Sequence, residues 1–351
     1  MDKIKQLIRP HLIDLKPYSS ARDEYSGAEG IFLDANENAI GSAAGEFNRY
    51  PDPHQRAIKE KLAALKGLSV ENIFLGNGSD EAIDLLIRLF CQPEKDNIII
   101  FPPTYGMYAV SAHINDIGVK EVKLTPDFQI DVKAALSAAD KRTKIVFVCS
   151  PNNPTGNLID ESAILALLEQ FNGIVAVDEA YIDFVEEKSM LKRLGEYRNL
   201  VVLQTFSKAW GLAGLRLGLA FAHPGVISYM NKIKYPYNVN SGTQEYALKA
   251  LDNIEKKNRM VAEILKQRER LAREFENMDI ALKVYPSDAN FLLVKFEEPR
   301  KIYDYLLEER IIVRDRSNVV LCEGCLRITV GTEEENNRLT ECLKKYPVPQ
   351  V

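Results

Sequence analysis

The stretch NLVVLQTFSKAWGLAGLRLGLAFA, residues 199–222, sets the architecture of this chain. It opens on one apolar run, LVVLQ, and closes on another, LGLAFA, and neither alternates polar with apolar residues. Runs of that texture are strands buried on both faces. Between them stands a lone lysine, Lys208, flanked by Thr205 and Ser207 and followed by glycines as far as Arg216. An ammonium at the exit of a buried strand either pairs with a surface carboxylate or takes part in chemistry.

The same texture recurs at NIIIF (97–101), KIVFVCS (144–150) and GIVAVDEA (173–180). Helix-periodic segments such as DEAIDLLIRLF (80–90) and ESAILALLEQF (161–171) alternate with these runs. That alternation predicts an α/β fold, a mostly parallel central sheet flanked by helices, over residues 31–245. Beyond it, a long, highly charged helical stretch is expected from Thr243 to about Met278. Strand-like ALKVYP, NFLLVKF, RIIVRD and LRITVG then interleave with helical EPRKIYDYLLEE and TEEENNRLTECLKKY. Residues 246–351, with residues 1–30 as an N-terminal arm, read as a smaller α+β domain.

Composition narrows the function. Of 351 residues, 46% are hydrophobic and 27% charged, and the net charge of -5 advertises no basic surface for nucleic acid or anionic lipid. No apolar run approaches the roughly 20 residues that cross a bilayer. The charged start MDKIKQLIRPHL lacks the apolar core of a secretion signal, so a cytoplasmic protein is expected. The five cysteines form no framework, and Cys322 and Cys325 make one isolated CxxC in a chain with four histidines. No metal or redox site is expected from it.

Ligands of open α/β sheets bind beyond the carboxyl ends of the strands. Three polar motifs lie there: SPNNPTG (150–156), DEAY (178–181) and TFSKAWGLAGLRLG (205–218); GNGSDEAIDLLIR (76–88) opens a helix. The last lacks the third glycine of a dinucleotide fingerprint, and TFSK lacks the serine of a serine acyl enzyme. A lysine made neutral by desolvation or a neighbouring cation such as Arg216 condenses with an aldehyde to a Schiff base. If that aldehyde is pyridoxal phosphate, the site needs an anion cradle, a carboxylate for the pyridine nitrogen, donors for the phenolic oxygen and a cover for the ring. A helix N-terminus alone is worth about 0.3–1 kcal/mol to an exposed anion. Ser79 and Asp80 at the helix start therefore need Thr205, Ser207 and Arg216 beside them. Asp178 is the candidate carboxylate, Asn153 and Tyr181 the candidate donors, and Tyr105 of PPTYGMY the candidate plate.

In this order, NNPTG, DEAY and SKAWGLAGLRLG resemble the fold-type I pyridoxal-phosphate aminotransferases. PYSSAR, LDANEN, NRYPDP, GNGSDEAIDLLIR, PPTYGMY and CLRITVGT resemble, more narrowly, the histidinol-phosphate aminotransferase family, from Tyr18 to Thr332. The resemblance implies Lys208 as Schiff-base lysine and proton shuttle, with Asp178 on the pyridine nitrogen. It implies Asn153 and Tyr181 on the phenolic oxygen, Tyr105 on the ring, and Ser79, Asp80, Thr205, Ser207 and Arg216 around the phosphate. Tyr50 of NRYP would reach that phosphate from the neighbouring subunit of a homodimer. Tyr18, Asn36, Asn153, Arg314 and Arg327 would hold the substrate, Arg327 serving either carboxylate or phosphate and Arg314 assisting on phosphate. The implied reaction is transamination between L-histidinol phosphate and 2-oxoglutarate in histidine biosynthesis. An aminotransferase for aromatic amino acids, a phosphothreonine decarboxylase and a non-catalytic regulator are the alternatives. One departure stands out: NENAIGSAAGEF (36–47) lacks the prolines usual after NEN.

Overall fold

The computed structural model describes residues 3–19 and 30–347; Ser20, Ala21 and Arg22 of PYSSAR lie outside them. Seven strands form the larger sheet: β1 (Ile73–Asn77), β2 (Asn97–Ile100), β3 (Gly118–Glu121), β4 (Thr143–Cys149), β5 (Ile174–Asp178), β6 (Leu200–Thr205) and β7 (Leu217–Ala222). Their order is β1-β7-β6-β5-β4-β2-β3. The pairs from β3 through β6 are parallel, whereas β7 runs antiparallel to both β6 and β1. The mostly parallel sheet expected from sequence is therefore present.

The reason for the continuous apolar runs is visible in β5. Val175 and Val177 pack on one side of the sheet, and Ile174 and Ala176 on the other. Successive side chains of a strand point to opposite faces, and here both faces are covered by helices. Residues Lys3–Leu7 and Pro10–Ile13 are helical, and Ile4, Ile8 and Leu12 join the cluster around Phe74 and Phe147. Residues 4–13 thus pack on the large sheet.

The smaller sheet has the order β10-β11-β9-β8, from β8 (Ala281–Val284), β9 (Phe291–Phe296), β10 (Arg314–Asp315) and β11 (Cys325–Thr329). Helices Pro299–Glu308 and Glu333–Lys344 cover one face, burying Leu292, Val294, Leu326 and Ile328. Leu293, Cys322 and Cys325 turn the other way and join the core of the large unit. Two expectations are refined by the structure. The charged stretch after Thr243 is two helices, Ser241–Leu251 and Ile254–Glu276, separated at Asp252 and Asn253. RIIVRD contributes only the two-residue β10, where Arg314 pairs with Arg327.

Candidate active site

Three strand ends and one helix start converge on a cavity of about 690 Å³. Lys208, Asp178, Tyr181, Asn153, Tyr105, Ser79, Asp80, Thr205, Ser207, Arg216, Arg314 and Arg327 all line it. The motifs separated along the chain are thus one site.

Its anion end is built by close backbone approach. The helix Ser79–Phe90 has Gly78 as N-cap, which carries no side chain to occupy the first-turn amides. Gly78 holds φ at 81°, a conformation that favours glycine. A methyl on Gly218 of β7 would lie 2.0 Å from the Ser79 nitrogen, so only glycine lets β7 pass this turn. Arg216 sits in the left-handed region with φ 55° and aims its guanidinium at Asp80, Nη2 to Oδ2 3.4 Å. The Tyr105 hydroxyl donates to the other oxygen of Asp80 at 3.0 Å. One carboxylate thereby orients both the cation of the cradle and the ring expected to cover the cofactor.

At the far side, Asp178 ends β5 at 2% exposure. Desolvation pushes its carboxyl up to about 6, against the opposing pull of two donors. These are the Tyr108 hydroxyl, 2.7 Å from Oδ2, and the Ala180 amide, 3.1 Å from Oδ1. Tyr108, stacked on Phe147 at 4.8 Å, was not singled out from sequence. Its presence explains how the carboxylate is held where no cation among the described residues pairs with it.

Lys208 opens onto the cavity between these ends and forms no ion pair among the described residues. Its ammonium lies 5.3 Å from the centre of the Tyr181 ring. Its proton affinity is lowered first by desolvation, then by Arg327, with Arg216 a smaller contributor and Asp178 opposing. Arg327, more than the Arg216 expected from sequence, is the cation that favours the neutral amine. Arg327 also donates to the Oδ1 of Asn153, which leaves the Asn153 NH2 as a donor. Burial raises the Tyr181 phenol, keeping it a protonated donor.

Three expected residues do not reach this cavity. Tyr18 is 76% exposed. Asn36 and Tyr50 line a separate hollow with Phe47, Tyr237 and Asn240, where Tyr50 stacks on Tyr237 at 4.4 Å. The loop without prolines runs beside it, turning where the Gly41 amide donates to the Asn38 carbonyl. Conversely, Arg316 lines the main cavity although no motif marks it.

Comparison with known proteins agrees with this geometry. Residues 22–343 match the family described as aminotransferase class I and II. A histidinol-phosphate aminotransferase of Cytophaga hutchinsonii is 58% identical over 344 residues, covering 98% of this chain and 99% of its own. The crystal structure of histidinol-phosphate aminotransferase from Clostridium acetobutylicum superposes with a TM-score of 0.78 at 25% identity, over 85% of this chain and 90% of its own. That from Sinorhizobium meliloti, in complex with pyridoxal-5'-phosphate, gives 0.79 at 24% identity, over 89% and 90%. The chain belongs to the aminotransferase class I and II family.

Proposed function

We infer that this protein is a histidinol-phosphate aminotransferase, exchanging the amino group of L-histidinol phosphate with 2-oxoglutarate in histidine biosynthesis. The observation that carries the reading is one cavity joining a lysine and a buried carboxylate to an arginine-lined end. The near full-length likeness to the Cytophaga hutchinsonii enzyme supports the same substrate.

The donor set fits pyridoxal phosphate. First-turn amides without a side-chain cap, two hydroxyls and Arg216 match a phosphate. A carboxylate desolvated against Tyr108 matches a protonated ring nitrogen. When bound, the cofactor supplies a carbonyl that takes up amines and a ring that accepts the electrons left when a carbon loses its proton. The chain supplies everything else. The Ser79 and Asp80 amides, with Thr205, Ser207 and Arg216, would hold the phosphate, and Asp178 would keep the ring nitrogen protonated. Asn153 and Tyr181 donate to the phenolic oxygen, while Tyr105 covers the ring. Lys208, whose hold on its proton is weakened by burial and by Arg327, removes the proton from the substrate carbon and returns it, work worth roughly 10²–10⁴-fold. Arg314 and Arg327 fix the anionic end of the substrate.

Tyr50 would act from a second subunit. Ile31, Leu33, Ile40, Phe47 and Tyr50 are all more than half exposed, an apolar stretch suited to a homodimer interface. Tyr50 would then reach the partner's phosphate. Five cysteines, none in a disulfide, suit the reducing cytoplasm. Replacing Lys208 tests the assignment. Lys208→Ala is expected to lose about 10³-fold or more in kcat while still retaining cofactor through dialysis. Ordinary turnover by that variant would remove Lys208 from the mechanism.

A further inference from the structure

Arg316 is a third arginine at the substrate end of the cavity. Strand register puts it there. Arg314 pairs with Arg327 across β10 and β11, and the Arg316 amide extends the ladder by donating to the Cys325 carbonyl at 3.0 Å. Residues 314 and 316 therefore share one face, while Asp315 points away from it. Asp315 is engaged elsewhere: it accepts from the Ser317 amide and hydroxyl at 2.8 and 2.6 Å and lies 3.6 Å from Arg300.

None of the three arginines forms an ion pair among the described residues. Among the described residues, the Arg316 side chain hydrogen-bonds only the Asp315 carbonyl, at 3.5 Å. The Nε of Arg327 is buried with no hydrogen-bond partner among the described residues. Arg316 feels both Arg327 and Arg314 as repelling charges, beyond the effect of its own burial. Three facing cations without a counter-ion form a site that an anion of more than one charge would complete.

We propose that Arg316 makes this end of the cavity selective for a phosphate dianion and so determines the preference for a phosphorylated substrate. The inference rests on the functional reading above. A carboxylate offers two oxygens and one charge, which one planar guanidinium satisfies. A phosphomonoester offers three free oxygens and close to two charges at neutral pH, enough to engage Arg314, Arg316 and Arg327 together.

The test compares L-histidinol phosphate with unphosphorylated L-histidinol in wild type, Arg316→Gln and Arg316→Lys, each checked for fold by circular dichroism. Arg316→Gln should lower kcat/KM for the phosphorylated amine by about 10- to 100-fold and for histidinol by less than about 3-fold. Arg316→Lys, which keeps the charge without the fork, should fall between. The second ionisation of a phosphomonoester lies near 6, so the wild-type preference should shrink from pH 7.5 to 5, and more steeply than in Arg316→Gln. Equal losses on both amines in the two variants, or an unchanged preference, would overturn the proposal alone. A wild-type enzyme that leaves histidinol phosphate untouched would overturn the functional reading and this proposal with it.

Discussion

Removing a single hydroxyl from Tyr108 should change how tightly this protein holds its cofactor, and only at low pH. The Tyr108 hydroxyl donates to Asp178 at 2.7 Å, and both side chains are buried. The ring is stacked on Phe147 at an interplanar angle of 7°, so phenylalanine keeps the packing. A hydrogen bond to a charged group contributes about 1.5–3 kcal/mol, which corresponds to about 1–2 pH units on a carboxyl. Asp178, at about 6 in the cofactor-free protein, would move to about 7–8 in Tyr108→Phe. The sign follows directly. A carboxyl raised further is protonated over a wider range, and a protonated Asp178 cannot balance a protonated ring nitrogen. The variant should therefore bind pyridoxal phosphate nearly as well as wild type at pH 9. At pH 6 its dissociation constant should be about 5- to 50-fold weaker, from the ratio of ionised fractions. Ionisations of the ligand itself are common to both proteins and cancel in that ratio. Equilibrium titration of the two cofactor-free proteins between pH 5.5 and 9 measures it. A ratio that stays flat across this range would show that Tyr108 does not hold Asp178 in its charged form.

Two further substitutions probe the frame around the site. Lys257, 3% exposed, pairs with the largely buried carboxylate of Asp183 at 3.3 Å and lies 5.4 Å from the Trp210 ring, tying the Ile254–Glu276 helix to the Lys208 loop. Lys257→Met should cost about 3 kcal/mol in urea denaturation by leaving the largely buried Asp183 carboxylate without its cation, and Asp183→Asn in the same chain should restore part of it; additive losses would argue against the pairing. Gly218→Ala should cost more than 1 kcal/mol and weaken cofactor binding at least 10-fold, because its methyl would meet the Ser79 amide. Gly214, with open space around it, is the control whose alanine variant should stay within about 0.5 kcal/mol.

The interior strands were legible because burial on both faces removes polar residues from them altogether. Their direction was not: an apolar run such as LGLAFA reads the same whether β7 runs with β6 or against it. The edge strands were harder still, since β3 is Gly-Val-Lys-Glu with no buried residue, and β1 is a short run containing a glycine. The break at Asp252 and Asn253 carries no glycine or proline, so helical periodicity runs straight through it. In the site, residues within motifs could be named because each motif sits where a strand ends. Tyr108 and Arg316 escaped for a different reason. Their placement comes from contacts across the fold, Tyr108 with a carboxylate 70 residues away and Arg316 with the Cys325 carbonyl of the neighbouring strand. Tyr18, Asn36 and Tyr50 are named by resemblance alone, and one chain does not carry them to the cavity.

The most direct test of the proposed activity is a single half-reaction. Protein loaded with pyridoxal phosphate is mixed with L-histidinol phosphate, without any amino acceptor, and the visible absorbance of the bound cofactor is followed beside parallel samples given phenylalanine and O-phosphothreonine. Rapid bleaching by histidinol phosphate, with one equivalent of keto product per site and recovery on adding 2-oxoglutarate, is the expected result. Bleaching by phenylalanine in preference, or carbon dioxide released from O-phosphothreonine, would contradict it.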